Sequence, residues 1–303
     1  MRSPDPTDES PHDSGAPSPQ VKGRSGEALI GIVATCRFAE AVAIGMLVPI
    51  LPLFLVNLDP EAHGLLDAWI GTASFSHEEQ TAILFSAAGF AMAAIQIASG
   101  RISDAFDMRK PLILFGLGGG TLCAASLLIL DSFGELLLAR VLLGIFMGLT
   151  FPPLMAIIAH HSPEGRGGRT LGIYSSIRLL GFAGGPLLGA WISENWGYTT
   201  AFATSSFLLA TSVLTVGLWV PEHKDGRKRG PGEPKHVLPP VPFTQRLLGS
   251  GIFLMMVGIS AMISLFPTYQ REYGASDQEL GLVFSVFIGA RFLLQYPLGY
   301  LGD

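Results

Sequence analysis

Eight stretches of this chain are almost wholly apolar, and polar connections of uneven length separate them. They run over residues 28–56, 81–99, 111–130, 136–159, 170–192, 199–220, 247–268 and 280–301. A bilayer core about 30 Å thick needs roughly 20 apolar residues in a helix. Four of these eight runs carry no charge and the others only one or two; they are apolar all round rather than on one face, which is the pattern of a membrane span. The expected fold is therefore all-α and polytopic: a multi-pass integral membrane protein.

Lys and Arg placement supports the count and sets an orientation. The N-terminal segment and the connections after the second, fourth and sixth spans are basic. "NLDPEAHGLLDAWIGTASFSHEEQ", "DSFGE" and "SENWGY" contain no Lys or Arg, and only Arg271 lies between the seventh and eighth spans. The alternation places the N-terminus in the cytoplasm. Residues 1–26 are rich in Pro, Ser and Asp with little to bury, and read as a disordered cytoplasmic tail. Residues 27–220 form a six-helix bundle. Residues 221–246 ("PEHKDGRKRGPGEPKHVLPPVPFTQR") read as a flexible cytoplasmic linker, whose basic run can meet membrane lipid.

The second and eighth spans repeat each other. With Gly100 set over Gly299, "LFSAAGFAMAAIQIASGRISD" faces "VFSVFIGARFLLQYPLGYLGD", and Gln96/Gln295 and Asp104/Asp303 coincide without a gap. A six-helix repeat unit follows. Residues 247–303 would then open a second bundle and supply only its first two helices, so the sequence reads as a fragment of a twelve-helix protein.

Composition adds exclusions. Hydrophobic residues make up 49% of the chain and charged ones 14%, with a formal net charge of −5; soluble domains carry about 25% charged residues. No basic face points to nucleic acid. Cys36 and Cys123 sit inside apolar runs, where two small buried side chains are expected rather than a disulfide. His160 and His161 lack further metal-ligand spacing, and no nucleophile motif or phosphate loop stands out, so neither an enzyme, a metal nor a cofactor is expected.

Three short patterns then carry a resemblance. Between the second and third spans, Gly100, Asp104, Arg109 and Lys110 fit G-x-x-x-D-(R/K)-x-G-(R/K)-(R/K), with Ala105, Asp107 and Met108 where Arg, Gly and Arg are usual. The fifth span has Gly172, Gly181, Gly185, Pro186 and Gly189 in step with G-x8-G-x3-G-P-x2-G-G, the last Gly replaced by Ala190. The fourth has Arg140, Gly144 and Gly148, with Leu143 where Gln is common. From residue 28 onward the chain resembles a transporter of the major facilitator superfamily. The resemblance implies two rocking six-helix bundles, a cytoplasmic gate loop at Gly100, Asp104, Arg109 and Lys110 (repeated at Gly299 and Asp303), and drug/proton antiport for the fifth-span motif. The residues themselves offer a tight glycine stripe and a proline that frees the carbonyl four residues back and allows a kink. Gly100 would let the backbone approach a neighbour closely.

Charges within the spans carry the candidate chemistry, because each costs about 2.5–3.5 kcal/mol to insert. These are Arg37 and Glu40 in the first span, Arg140 in the fourth, Arg178 in the fifth and Arg291 in the eighth. Arg37 and Glu40 share a helical face. Glu40 lies about 18 Å into its helix at 1.5 Å per residue, near the midplane, which makes it the candidate proton-coupling residue. Two readings stay open: a static ion pair, or a pair whose partners change when a proton or substrate binds. Arg140 lies near a span end and can snorkel. The expected activity is proton-coupled efflux of small organic molecules across a bacterial or archaeal cytoplasmic membrane. Uptake or exchange of an organic anion is the alternative, since arginines outnumber acids within the spans, and a non-transporting sensor or scaffold is another.

Overall fold

The computed structural model describes residues 23–58, 67, 75–106, 108–162, 167–221 and 243–302. Most of the tail, most of the linker, and Asp303 lie outside the described residues, as do the side chains of Asp104 and Arg291. Helices α1 (Gly23–Val56), α2 (His77–Phe106), α3 (Arg109–Ser126) and α4 (Phe133–His161) are followed by α5 (Gly167–Trp219), α6 (Phe243–Ser264), α7 (Phe266–Tyr273) and α8 (Asp277–Gly302). Four helical stretches, in α1, α2, α4 and α5, are long and apolar enough to cross a membrane among the described residues. Large apolar side chains such as Phe115, Leu122, Phe207 and Leu214 are exposed on the outside, a surface suited to lipid chains rather than water.

Several boundaries differ from the hydrophobic pattern, each for a local reason. α1 begins at Gly23 rather than residue 28. α3 ends at Ser126, because the Leu128 and Ile129 amides donate three residues back, to Ala125 and Ser126, and tighten the chain into turns. The fifth and sixth spans join into α5, broken only at Gly197, whose φ of 83° and ψ of 164° are accessible to glycine. Pro186 lies inside the first arm with helical dihedrals, and Gly197 is the point at which the two spans join. The seventh span breaks at Leu265, where Pro267 opens the short α7. Gly274, at φ 64°, caps α7 by donating its N–H to the Gln270 carbonyl.

Caps fix the other starts. Ser76 and Glu79 form a capping box at α2: the Glu79 amide donates to Ser76 Oγ at 3.2 Å, and the Ser76 amide to Glu79 Oε2 at 2.8 Å. Ser276 and Glu279 repeat it at α8, at 3.2 and 2.9 Å. The two repeated helices thus start alike, although their caps are offset by one residue relative to the Gly100/Gly299 register. At α4, the Gly134 amide donates 2.8 Å to the buried Asp67 carboxylate from the preceding connection, an acid well placed at a helix N-terminus.

α1 lies along α5, α2 against α4, α3 against α4 and α5, and α8 against α5. One core fills α1–α5, including Val33, Met46, Leu117, Leu143 and Phe202. A second, with Val48, Leu53, Ile263, Phe266, Leu280 and Phe284, joins α1 to α6, α7 and α8. The bundle has two ends. Gly100, His161 and Trp219 mark one, and Val56, Gly197 and Asp277 mark the other.

Candidate functional site

α1 places Arg37 and Glu40 three residues apart, on one face and deep in the bundle, 4% and 3% exposed. Arg37 Nη1 donates to both Glu40 oxygens at 2.6 Å. The guanidinium carbon also lies 5.5 Å from the Phe151 ring centroid, a favourable cation–π distance. Behind this pair, α1 is held to the second arm of α5. Ser212 Oγ donates to the Cys36 carbonyl at 3.2 Å and Ser205 Oγ to the Ala43 carbonyl at 2.9 Å. Both cysteines are buried and unpaired with each other, as expected.

A cavity of about 450 Å³ opens beside the ion pair, with walls from α1, α2, α4, α5, α6 and α8. Arg37, Glu40, Arg140 and Arg178 all line it, together with Gln96. The structure therefore gathers four of the five charged span residues singled out above at one place; the Arg291 side chain is the one outside the described residues. Most of the remaining wall is apolar, with Phe85, Met92, Phe182 and Phe284 prominent. Arg140 does not snorkel. It is 7% exposed, its guanidinium sits 4.9 Å from the Phe85 ring centroid, and its Nε meets no acceptor among the described residues. Arg178 is exposed towards the cavity. Sequence reading passed over Tyr174, which is 1% exposed, lies within electrostatic reach of Arg37 and Glu40, and has a phenol oxygen with no hydrogen-bond partner among the described residues. A tyrosine on the helix facing α1 was the available signal, but spacing along α5 does not reveal which helix it faces.

The glycine stripe of α5 packs on α1. A Cβ at Gly185 would stand 2.6 Å from the Val42 carbonyl oxygen and 2.9 Å from Gly45 Cα. One at Gly189 would stand 2.8 Å from Met46 Cα, and one at Gly181 2.7 Å from the Phe38 carbonyl oxygen. Gly172, in the same motif, has nothing within 4 Å of such a Cβ. Pro186 faces the other way as well, since a Cβ on Gly281 of α8 would come within 2.8 Å of its carbonyl oxygen.

The loop at the Gly100 end is arranged differently from the expectation. Gly100 has ordinary room, its nearest neighbour being Pro152 at 3.7 Å from a built Cβ, so no close approach demands glycine there. Lys110 Nζ donates 2.8 Å to the Gly217 carbonyl, tying α3 to the C-terminal turn of α5, where a cation is favoured. Arg109 is half-buried beside it at the start of α3.

The opposite end is joined by polar contacts that no sequence pattern announced. Thr268 donates to Glu78 Oε1 at 2.7 Å, and Arg271 Nη2 reaches the same oxygen at 3.4 Å. Ser193 Oγ donates to Asp277 Oδ2 at 3.1 Å and Gln270 Nε2 to Oδ1 at 3.2 Å. The Gln278 amide donates to Glu194 at 3.2 Å, and the Leu187 amide to Ser285 Oγ at 3.1 Å. These hydrogen bonds between α1–α5 and α6–α8 lie towards this end. Asp277 sits outside the span that starts at residue 280. Burial raises its carboxyl above the ordinary value, opposed by hydrogen bonds from Tyr198 and Ser193 and reinforced by the Glu194 charge.

The sequence model described as Major Facilitator Superfamily matches residues 33–303. The chain belongs to the Major Facilitator Superfamily. Among curated members, it is 25% identical over 273 residues to the multi-drug resistance efflux pump PmrA of Streptococcus pneumoniae serotype 4, covering 88% of this chain and 65% of that one. It is 27% identical over 278 residues to the multidrug resistance protein MdtG of Dickeya zeae, covering 88% and 64%. The chain thus spans just under two thirds of the length of these relatives. Among solved structures, the human organic anion transporter MFSD10 matches with a TM-score of 0.62 at 20% identity, covering 91% of this chain and 72% of that one. That likeness concerns the fold: an all-α, integral membrane arrangement of the superfamily type.

Proposed function

We propose that this superfamily member is a proton-coupled secondary transporter that carries small organic molecules out of the cell by antiport, working through alternating access to the cavity. The carrying observation is the Arg37–Glu40 pair in the cavity wall. Glu40 is the only acid lining the cavity among the described residues, and it is fully engaged by Arg37. A proton arriving on Glu40 neutralises the carboxylate, weakens the pair and leaves Arg37 to seek another anionic or polar partner. Loss of the proton restores the pair. Substrate and proton compete at the Glu40 carboxylate itself: a substrate group that donates to those oxygens is excluded when a proton occupies them, which is what exchange requires.

Other observations fit the same reading. The two helix groups are joined at the Gly197 end, while the cavity lies between them, as in one limb of an alternating-access cycle. Lys and Arg asymmetry puts the Gly100 end in the cytoplasm, so the closed end faces outward and the cavity would be reached from the cytoplasm of a bacterial cell. The names borne by the pneumococcal and Dickeya relatives favour efflux over uptake.

Glu40→Gln tests the reading. Proteoliposomes with a trapped pH dye are challenged in turn with an aromatic cation and an aromatic anion. The wild type is expected to move protons when substrate is added, and the variant to fold normally yet move none. Undiminished substrate-driven proton movement in the variant refutes the role of Glu40.

A further inference from the structure

We propose that Arg140 is the anchor for a single anionic group, a carboxylate or sulfonate, on an otherwise aromatic or apolar substrate. The inference deepens the transporter reading and rests on it only in taking the cavity as the substrate site.

Arg140 projects from α4 and lines the cavity at 7% exposure. Among the described residues, no hydrogen bond or ion pair reaches its guanidinium. The Phe85 ring centroid lies 4.9 Å from its guanidinium carbon. A buried cation is normally paired or well hydrogen-bonded, because withdrawing it from water is expensive. The obvious internal partner is taken: both Glu40 oxygens accept from Arg37 Nη1. Among the described lining residues, three arginines (37, 140 and 178) stand beside one glutamate, and that glutamate is engaged by Arg37. A cationic substrate would add to that imbalance, whereas an anion reduces it.

Geometry sets the rest of the ligand. Arginine presents a planar fork that matches a carboxylate or sulfonate through paired N–H donors. Phe85 beneath the guanidinium holds its plane without using any of those donors. The remaining wall is lined by Phe182, Phe284 and Met92, surfaces on which a flat apolar body packs. The 450 Å³ volume is in the range of small-molecule sites. The ligand is an amphipathic organic anion with its charged end at α4 and its apolar body between α5 and α8.

Equilibrium calorimetry on the full chain in nanodiscs at pH 7 tests this, with naphthalene-2-carboxylate as the probe and naphthalene-2-carboxamide as its neutral, near-isosteric control. The wild type is expected to bind the carboxylate at least tenfold more tightly than the amide. Arg140→Gln should bring the carboxylate to the level of the amide while leaving amide binding unchanged, and Arg140→Lys should keep part of the preference. Should Arg140→Gln fail to fold, the wild-type ratio still decides: equal binding of the two probes, or failure of both to bind, overturns the proposal. So does a preference that survives Arg140→Gln and disappears instead in Arg178→Gln. If the preference is absent while substrate-driven proton flux depends on Glu40, only this inference falls. If the preference holds and no proton flux occurs, the antiport reading falls and the anion site stands.

Discussion

Replacing Gly185 by alanine should push α1 and α5 apart, and its neighbour Gly184 provides the control. At Gly185 the new Cβ would be 2.6 Å from the Val42 carbonyl oxygen and 2.9 Å from Gly45 Cα. Both obstacles are backbone, so no rotamer change relieves them. Favourable contact lies at about 3.5–4.0 Å, and the helices must therefore separate locally by roughly 0.6–1 Å. Gaps of that size forfeit a quarter to a half of each neighbouring contact, and overpacking of this kind costs about 1–3 kcal/mol. Gly184 lies on the outward face with nothing within 4 Å of a built Cβ. There alanine should stabilise the helix by up to about 1 kcal/mol. Two adjacent, chemically identical substitutions should thus act in opposite directions and differ by about 1–4 kcal/mol. Cys36 and Cys123, 2% and 8% exposed, make the assay simple: a fluorogenic maleimide reports unfolding in detergent as these thiols become reachable. A Gly185→Ala variant as stable as Gly184→Ala would refute the claim that the glycine stripe is there for contact with α1.

Further outcomes follow from the two ends of the bundle. Because burial raises the Asp277 carboxyl, the folded protein holds its proton more tightly than the unfolded chain does. That contribution is full below the ordinary value near 3.8 and is lost as pH rises through the raised one. Asp277→Asn should flatten this part of the stability-against-pH curve above about pH 4, measured as the difference in melting temperature between wild type and variant; parallel curves would contradict it. Lys110→Met removes the hydrogen bond to the Gly217 carbonyl and should cost about 1 kcal/mol in the thiol assay, while leaving naphthalene-2-carboxylate binding intact. A binding loss there would mean that this lysine does more than tie α3 to α5.

Hydrophobic run length and charge alternation were enough to read the helical membrane class, since each span must satisfy its backbone internally and hide its charges. A three-residue spacing put Arg37 and Glu40 on one helical face, and the pair is found there. The superfamily motifs were legible as residues in order. Their partners were not. The glycine motif reads the same whichever helix lies against it, and only the packed structure shows α1 in that place. The junction of the fifth and sixth spans falls at Gly197, where the backbone takes a positive φ.

Contacts between residues distant in sequence were decided wholly by tertiary structure. Glu78 meets Thr268 across 190 positions, Ser193 meets Asp277 across 84, and Lys110 meets Gly217 across 107. No local periodicity carries such information, since helical geometry relates only residues a few positions apart. Arg140 makes the same point. Its position near a span end allowed an escape to water, and the packing of α2 beneath it keeps it in the cavity instead. The sequence determined that the chain is a stack of apolar helices with a few costly charges inside them. The tertiary structure determined that four of those charges meet at one cavity and that Arg37 and Glu40 answer one another there, because that depends on the faces neighbouring helices turn together.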